Sequence, residues 1–172
     1  FNSTLISCDK YIHKLKLIED NKEKLDITNI QVREQDATVN NDSFIENFDI
    51  VVCDVPCSGI GVIKNKPEIK YKITNAYIED IAKLQYQILE NSKNYVKQGG
   101  TLMYSTCTID KRENIKNIEK FLKENKDFSL ESISLNNSIV KTRENGVLEI
   151  LPDEYSCDGF FIAKLKKTEE KC

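Results

Sequence analysis

Phe48-Asp49-Ile50-Val51-Val52-Cys53-Asp54-Val55-Pro56-Cys57-Ser58-Gly59 is the stretch that decides the fold. Its first six residues are almost all apolar, as in a strand covered on both faces of a parallel sheet. An acid, a proline, a cysteine and a glycine follow, so the strand ends in a turn that carries reactive side chains. A second run, Gly99-Gly100-Thr101-Leu102-Met103-Tyr104, reads the same way and ends in Ser105-Thr106-Cys107-Thr108. In open α/β sheets, ligands gather outside the carboxyl ends of the strands. Two thiols at two such ends can meet in one site although they lie far apart in sequence. That arrangement suits covalent catalysis, with one cysteine as nucleophile and a second group as its helper.

Working outward, Leu5 to Asp9 reads as a strand and Tyr11 to Leu25 as a helix with apolar spacing at Ile12, Leu15, Leu17, Ile18 and Leu25. Ile30 to Asp36 alternates like a second strand. Pro56 to Lys72 reads as a long loop punctuated by Gly59, Gly61 and Pro67. Asn75 to Lys97 is predicted as a helix whose apolar stripe holds Ile78, Ile81, Ile88 and Leu89, stopped by Gly99-Gly100. Asp110 to Asn125 reads as a further helix, and Gly146–Leu151 with Gly159–Lys166 as an antiparallel pair. The order of elements gives an α/β, doubly wound pattern with a C-terminal hairpin. Residues 1–167 are expected to form one domain and 168–172 a frayed tail.

The 172 residues are 40% hydrophobic and 31% charged, ordinary for a globular protein. No apolar run approaches the ~20 residues that cross a membrane. A net charge of −3 leaves RNA binding, if any, to local patches. The six cysteines show no zinc-ligand spacing and His13 is the only histidine, so no metal site is predicted. The lack of secretory features points to a reducing cytoplasm and free thiols. Cys53 and Cys8 read as core residues, and the chain opens on Phe1, which reads as a fragment.

Asp9, Asp36 and Asp54 each close a predicted strand. Such acids form turns. In a Rossmann-like fold they also accept ribose hydroxyls, because a carboxylate offers two acceptors to two adjacent donors. Three acids along one sheet edge favour a nucleoside site. The lysines 64, 66, 70 and 72 (Lys64, Lys66, Lys70, Lys72) line the loop beside Cys57 and are read as phosphate contacts, with Tyr71 either stacking on a base or covering the core.

These motifs resemble a family. Asp54-Val55-Pro56-Cys57-Ser58-Gly59 with Lys66-Pro67-Glu68 is similar to the fourth motif of RNA 5-methylcytosine methyltransferases, and Tyr104-Ser105-Thr106-Cys107-Thr108 with Glu113-Asn114 to their sixth. Cys157-Asp158-Gly159-Phe160-Phe161 resembles their closing strand. The likeness is greatest to the Sun/RsmB group, which acts on small-subunit ribosomal RNA. It implies a Rossmann-like class I methyltransferase fold, here without the family's first strand and glycine-rich loop. It therefore implies weak or no cofactor binding by this chain alone, and exposed sheet edges open to self-association.

The resemblance implies S-adenosylmethionine as cofactor and methylation of cytosine carbon-5 through a covalent adduct. By that likeness Cys107 is the nucleophile, Cys57 assists breakdown of the adduct, and Asp54 meets the cytosine edge. Asp9 becomes the ribose acid, Asp36 the adenine acceptor, and Lys14 an added contact near the cofactor. Gln85 is expected to hydrogen-bond the Cys57 loop and Asn114 to brace the Cys107 loop. Two alternatives stand beside this: Cys57 as the nucleophile, and a non-catalytic fragment or scaffold that binds RNA.

Overall fold

The computed structural model describes residues 3–134 and 146–168, so Cys172 and most of the expected tail lie outside the described residues. The chain forms two compact units, residues 1–40 and 41–172.

In the first unit, β1 (Leu5–Asp9) and β2 (Ile30–Glu34) pair in parallel, with α1 (Ile12–Lys24) as the crossover between them. Asp9 stands opposite Glu34, and the Gln35 N–H donates to the Asp9 carbonyl at 3.1 Å, so both strands end together. One helix on two strands is too little to enclose a core. No described residue of 3–40 is fully buried. Cys8 is accordingly exposed, against the expectation that it is core.

The second unit is built on β3 (Phe48–Asp54), β4 (Val96–Thr106), β5 (Phe128–Leu130), β6 (Val147–Ile150) and β7 (Phe160–Lys167). The order is β3-β4-β7-β5, with β6 also pairing β7. β3 and β4 run parallel, with Asp54 opposite Ser105. β7 runs antiparallel to β4, and its other edge is shared by β5 and β6. The sheet is therefore mixed, and the expected antiparallel pair is part of it. Between β3 and β4 lies α2 (Asn75–Ser92), and α3 (Ile115–Glu124) follows β4. The Thr74 hydroxyl caps α2 by accepting from the Tyr77 N–H. Leu89 of α2, Ile118 and Phe121 of α3, and Leu102, Tyr104, Phe161 and Leu165 of the sheet are fully buried and form the core. Phe121 packs edge-on against Phe128, ring centres 5.2 Å apart.

Three boundaries differ from the sequence reading. α2 ends at Ser92, not Lys97, and a 3-10 turn over Lys93–Tyr95 leads into β4. The Asn94 and Tyr95 carbonyls are taken by the N–H groups of Glu46 and Asn47, so the chain leaves the helix at Ser92, seven residues before Gly99. Gly99 and Gly100 lie inside β4, where Gly99 takes φ +69 and the pairing register with β3 shifts. α3 begins at Ile115, not Asp110: Asp110 folds its carboxylate onto the Arg112 N–H, and the Asn114 side chain is engaged elsewhere. Two short elements escaped the periodicity: β5 and α4 (Pro152–Tyr155).

Candidate active site

Parallel pairing of β3 with β4 carries both cysteine turns to one end of the sheet. The Val55 N–H extends the pairing by donating to the Ser105 carbonyl at 3.1 Å. Beyond it Pro56 breaks the ladder, because it has no N–H. Gly59 then turns the chain in the left-handed region, φ +73, into the 3-10 turn Ile60–Val62.

Gly61 locks this turn against two other segments. Its N–H donates to the Cys107 carbonyl at 3.1 Å, and its carbonyl accepts from the Gly159 N–H at 2.8 Å. A side chain there has no room: a Cβ would lie 2.6 Å from the Gly159 oxygen and 2.7 Å from that of Cys107. At Gly61 three stretches distant in sequence meet through backbone groups.

The result is a thiol pair. Cys57 Sγ and Cys107 Sγ lie 3.1 Å apart, each half-buried. The two thiols are driven apart in acidity. The hydrogen bond from Cys57 holds Cys107 down to about 7, helped by its own backbone N–H and the Lys66 charge, with burial and Asp54 opposing. Cys57 is pushed up, first by that same hydrogen bond and then by burial. Of the two, Cys107 is therefore the more acidic thiol and Cys57 the less acidic. A half-buried thiolate near neutral pH is the reactive form of cysteine. Asp54 sits at the same strand end and accepts a hydrogen bond from the Ser105 hydroxyl at 2.9 Å.

Beneath the thiols lies a buried polar layer. Glu113 is fully buried and accepts from the Ser58 N–H at 2.8 Å, the Ser58 hydroxyl at 2.5 Å, the Thr108 hydroxyl at 3.1 Å and the Gln85 amide at 2.9 Å. Gln85 also donates to the Pro56 carbonyl at 2.9 Å, as expected of it. Asn114 accepts from Thr106 at 2.6 Å and donates to the Thr108 carbonyl at 2.9 Å, bracing the Cys107 turn. Burying a carboxylate without partners costs several kcal/mol. Here all its lone pairs are used, and among the described residues no buried side-chain nitrogen or oxygen lacks a partner.

The lysine loop folds as a second 3-10 turn, Pro67–Tyr71. Lys64, Lys66, Lys70 and Lys72 are all exposed, and so is Tyr71, which therefore does not cover the core. The Lys70 ammonium sits 4.9 Å from the Tyr71 ring. Cys53 is buried as expected, and burial pushes its thiol up to about 11. Among the described residues no cluster of side chains fits a metal ion, and no helix is long and apolar enough to cross a membrane.

In the first unit, Asp9 and Asp36 close the same end of the β1–β2 pair. Asp9 accepts from the Tyr11 N–H at 2.9 Å and lies 3.6 Å from the Lys14 ammonium. Asp36 accepts from the Thr38 hydroxyl and N–H on one oxygen and meets Lys10 at 3.4 Å on the other. The Thr38 bonds and Lys10 hold the Asp36 carboxyl below its usual range. Both acids reach solvent on oxygens that face only a lysine, which leaves them acceptor capacity for hydroxyl or amino donors.

Sequence reading missed Glu113, Thr108 and Gly61 as builders of the site, and Lys10 as the ion partner of Asp36. Glu113 stood inside a quoted motif, yet an acid before a helix reads by default as a solvated first-turn charge.

The sequence profile described as 16S rRNA methyltransferase RsmB/F matches residues 2–166. The chain is 39% identical over 169 residues to the probable ribosomal RNA small subunit methyltransferase B of Bacillus subtilis (strain 168), covering 95% of this chain and 38% of that protein. It thus spans well under half the length of that relative. The crystal structure of NSun6 from Pyrococcus horikoshii with SFG superposes with a TM-score of 0.82 at 28% identity, over 98% of this chain and 42% of that one. A methyltransferase homolog protein from Pyrococcus horikoshii gives 0.77 at 26% identity, over 96% of this chain and 53% of that one. The α/β methyltransferase fold and the match over residues 2–166 make this chain a member of the 16S rRNA methyltransferase RsmB/F family.

Proposed function

We propose that this chain is the catalytic part of an enzyme that methylates carbon-5 of a cytosine in small-subunit ribosomal RNA, with Cys107 as nucleophile. The observation that carries the reading is the split thiol pair: one sulfur held near neutrality as thiolate, the other kept protonated 3.1 Å away.

Cytosine carbon-5 is a poor nucleophile until carbon-6 gains a substituent. The Cys107 thiolate forms a bond to carbon-6, and the ring electrons shift toward carbon-5. Bound S-adenosylmethionine supplies the electrophilic methyl group. Asp54, at the strand end beside both cysteines, meets the ring edge and holds a proton there. Cys57 then serves as base for the carbon-5 proton. Its basicity follows from the geometry: the hydrogen bond to a neighbouring thiolate keeps Cys57 protonated. Once Cys107 is a thioether that charge is gone, and Cys57 loses its own proton to solvent water, leaving a thiolate that takes the carbon-5 proton. Loss of the carbon-5 proton expels Cys107 and restores the ring. The target base leaves its stack to reach two half-buried sulfurs.

The cofactor reading rests on the acids. Asp9 with Lys14 suits a ribose diol and Asp36 an adenine amino group. NSun6, similar to this chain, is described with SFG, an analogue of S-adenosylmethionine. The exposed lysines Lys64, Lys66, Lys70 and Lys72 contact RNA phosphates.

The deciding experiment is trapping on a ribosomal RNA fragment bearing 5-fluorocytosine, in a chain extended to the length of its relatives. The adduct is expected to vanish in Cys107→Ala and persist in Cys57→Ala. Loss only in Cys57→Ala would reverse the two roles, and no adduct in the unmutated protein would make the chain non-catalytic.

A further inference from the structure

The thiols are 3.1 Å apart, yet no covalent link and no shared element sets that spacing. Each cysteine rides on its own turn. Directly behind the pair, the residue after each cysteine is tied to the same carboxylate. Ser58, following Cys57, binds Glu113 through its N–H and its hydroxyl; Thr108, following Cys107, binds it through its hydroxyl. The Ser58 and Thr108 hydroxyl oxygens also lie 2.9 Å from each other. Gln85 on α2 and the Tyr104 hydroxyl, which donates to the Glu113 carbonyl at 2.5 Å, hold the acid in place. Glu113 touches neither sulfur.

We propose that Glu113 is a positioning residue that sets the Cys57–Cys107 separation by clamping Ser58 and Thr108 on one buried carboxylate. The inference rests on the reading that Cys107 attacks and Cys57 assists.

The chemistry of the clamp separates position from charge. One carboxylate oxygen receives two N–H groups, and the other faces two hydroxyls. Hydroxyls rotate and accept as readily as they donate. In Glu113→Gln, an amide NH2 facing the hydroxyls keeps every link while removing the charge. Glu113→Ala removes the links as well. The groups acting on Cys107 are Cys57, Asp54 and Lys66. Of these, the Cys57 hydrogen bond is the one a loosened clamp would break.

The test is the pH profile of Cys107 alkylation by iodoacetamide, mapped by peptide mass, on proteins shown by thermal melts to be folded. Loosening the pair withdraws the Cys57 hydrogen bond, so Glu113→Ala is expected to raise the midpoint by about one pH unit or more. Glu113→Gln is expected to restore the wild-type midpoint. A purely structural acid would lower the melting temperature and leave the midpoint of the folded protein where it was. An acid acting only by its charge would lower the midpoint equally in both variants. Either result overturns the proposal, as does a midpoint raised equally by Gln and Ala. Should Glu113→Ala not fold, Thr108→Val cuts the link on the Cys107 side only; a raised midpoint there supports the clamp and an unchanged one rejects it. RNA and cofactor play no part in this readout, so failure of the trapping experiment and failure of the clamp are separately visible.

Discussion

The sulfurs of Cys57 and Cys107 lie 3.1 Å apart across fifty positions of sequence, and their closeness makes two chemically identical side chains unlike. The hydrogen bond between them lowers the pKa of Cys107 and raises that of Cys57.

That asymmetry has a pH signature. Cys107 alkylation is expected to follow a midpoint near 7, its rate falling as pH drops through that value because the thiolate fraction falls. Cys57→Ala removes the hydrogen bond that stabilises the anion, so the midpoint should rise toward the ordinary thiol value of about 8.5. A midpoint unmoved by Cys57→Ala would mean that Lys66 and the backbone alone set the acidity.

Gly61→Ala tests the backbone junction of the three motifs. The added methyl meets the Cys107 and Gly159 carbonyls at 2.7 and 2.6 Å, and backbone cannot swing aside as a side chain does. The expected loss of stability is about 1–3 kcal/mol, the usual cost of forcing atoms into a packed site. Urea melts give that number, and a slower alkylation of Cys107 should accompany it. Wild-type stability in the alanine variant would mean that the junction is loose.

The first unit predicts a cofactor phenotype. Asp9→Asn and Asp36→Ala are each expected to weaken binding of an S-adenosylmethionine analogue by about tenfold, the effect of losing one or two charged hydrogen bonds. Calorimetry on this chain, and on one extended to the length of its relatives, reads it. Equal affinity in both acid variants would remove these acids from the cofactor site.

Among the described residues β3 pairs with β4 alone, and Ile50 and Val52 of β3 are 62% and 63% exposed. An apolar strand with an unpaired edge adds further strands readily. This chain is expected to self-associate with rising concentration, and Val52→Lys to suppress it; sedimentation velocity distinguishes the two. A wild-type chain that stays monomeric at high concentration would count against the open edge.

Much of this was legible before any coordinates. The strand at Phe48 to Asp54, the turn chemistry of Pro56 and Gly59, and the period of α2 are local signals, and each survives in the fold. The expected burial of that strand on both faces does not, since only Cys53 of it is buried and Ile50 and Val52 are exposed. Asp9 and Asp54 stand as read, each the last residue of its strand, whereas β2 ends at Glu34 and leaves Asp36 two residues beyond it. The misread segments share one cause. Tyr95 looked helical because its neighbours were, but its hydroxyl accepts from the Asn41 N–H and its ring packs on Phe44, contacts that no window of sequence contains. Cys8 looked like core because its strand is apolar, whereas burial depends on how many layers cover that strand.

The sequence by itself determined the class of fold, the two cysteine turns and the family, because composition, periodicity and motif spacing are properties of short stretches. Only the tertiary structure decided that the two thiols meet, that Glu113 is a buried acceptor and not a surface acid, and that Gly61 admits no side chain. Those are consequences of distance in space. Parallel pairing of β3 with β4 sets Asp54 beside Ser105, and from that one register the sulfurs, the carboxylate and the glycine acquire their neighbours.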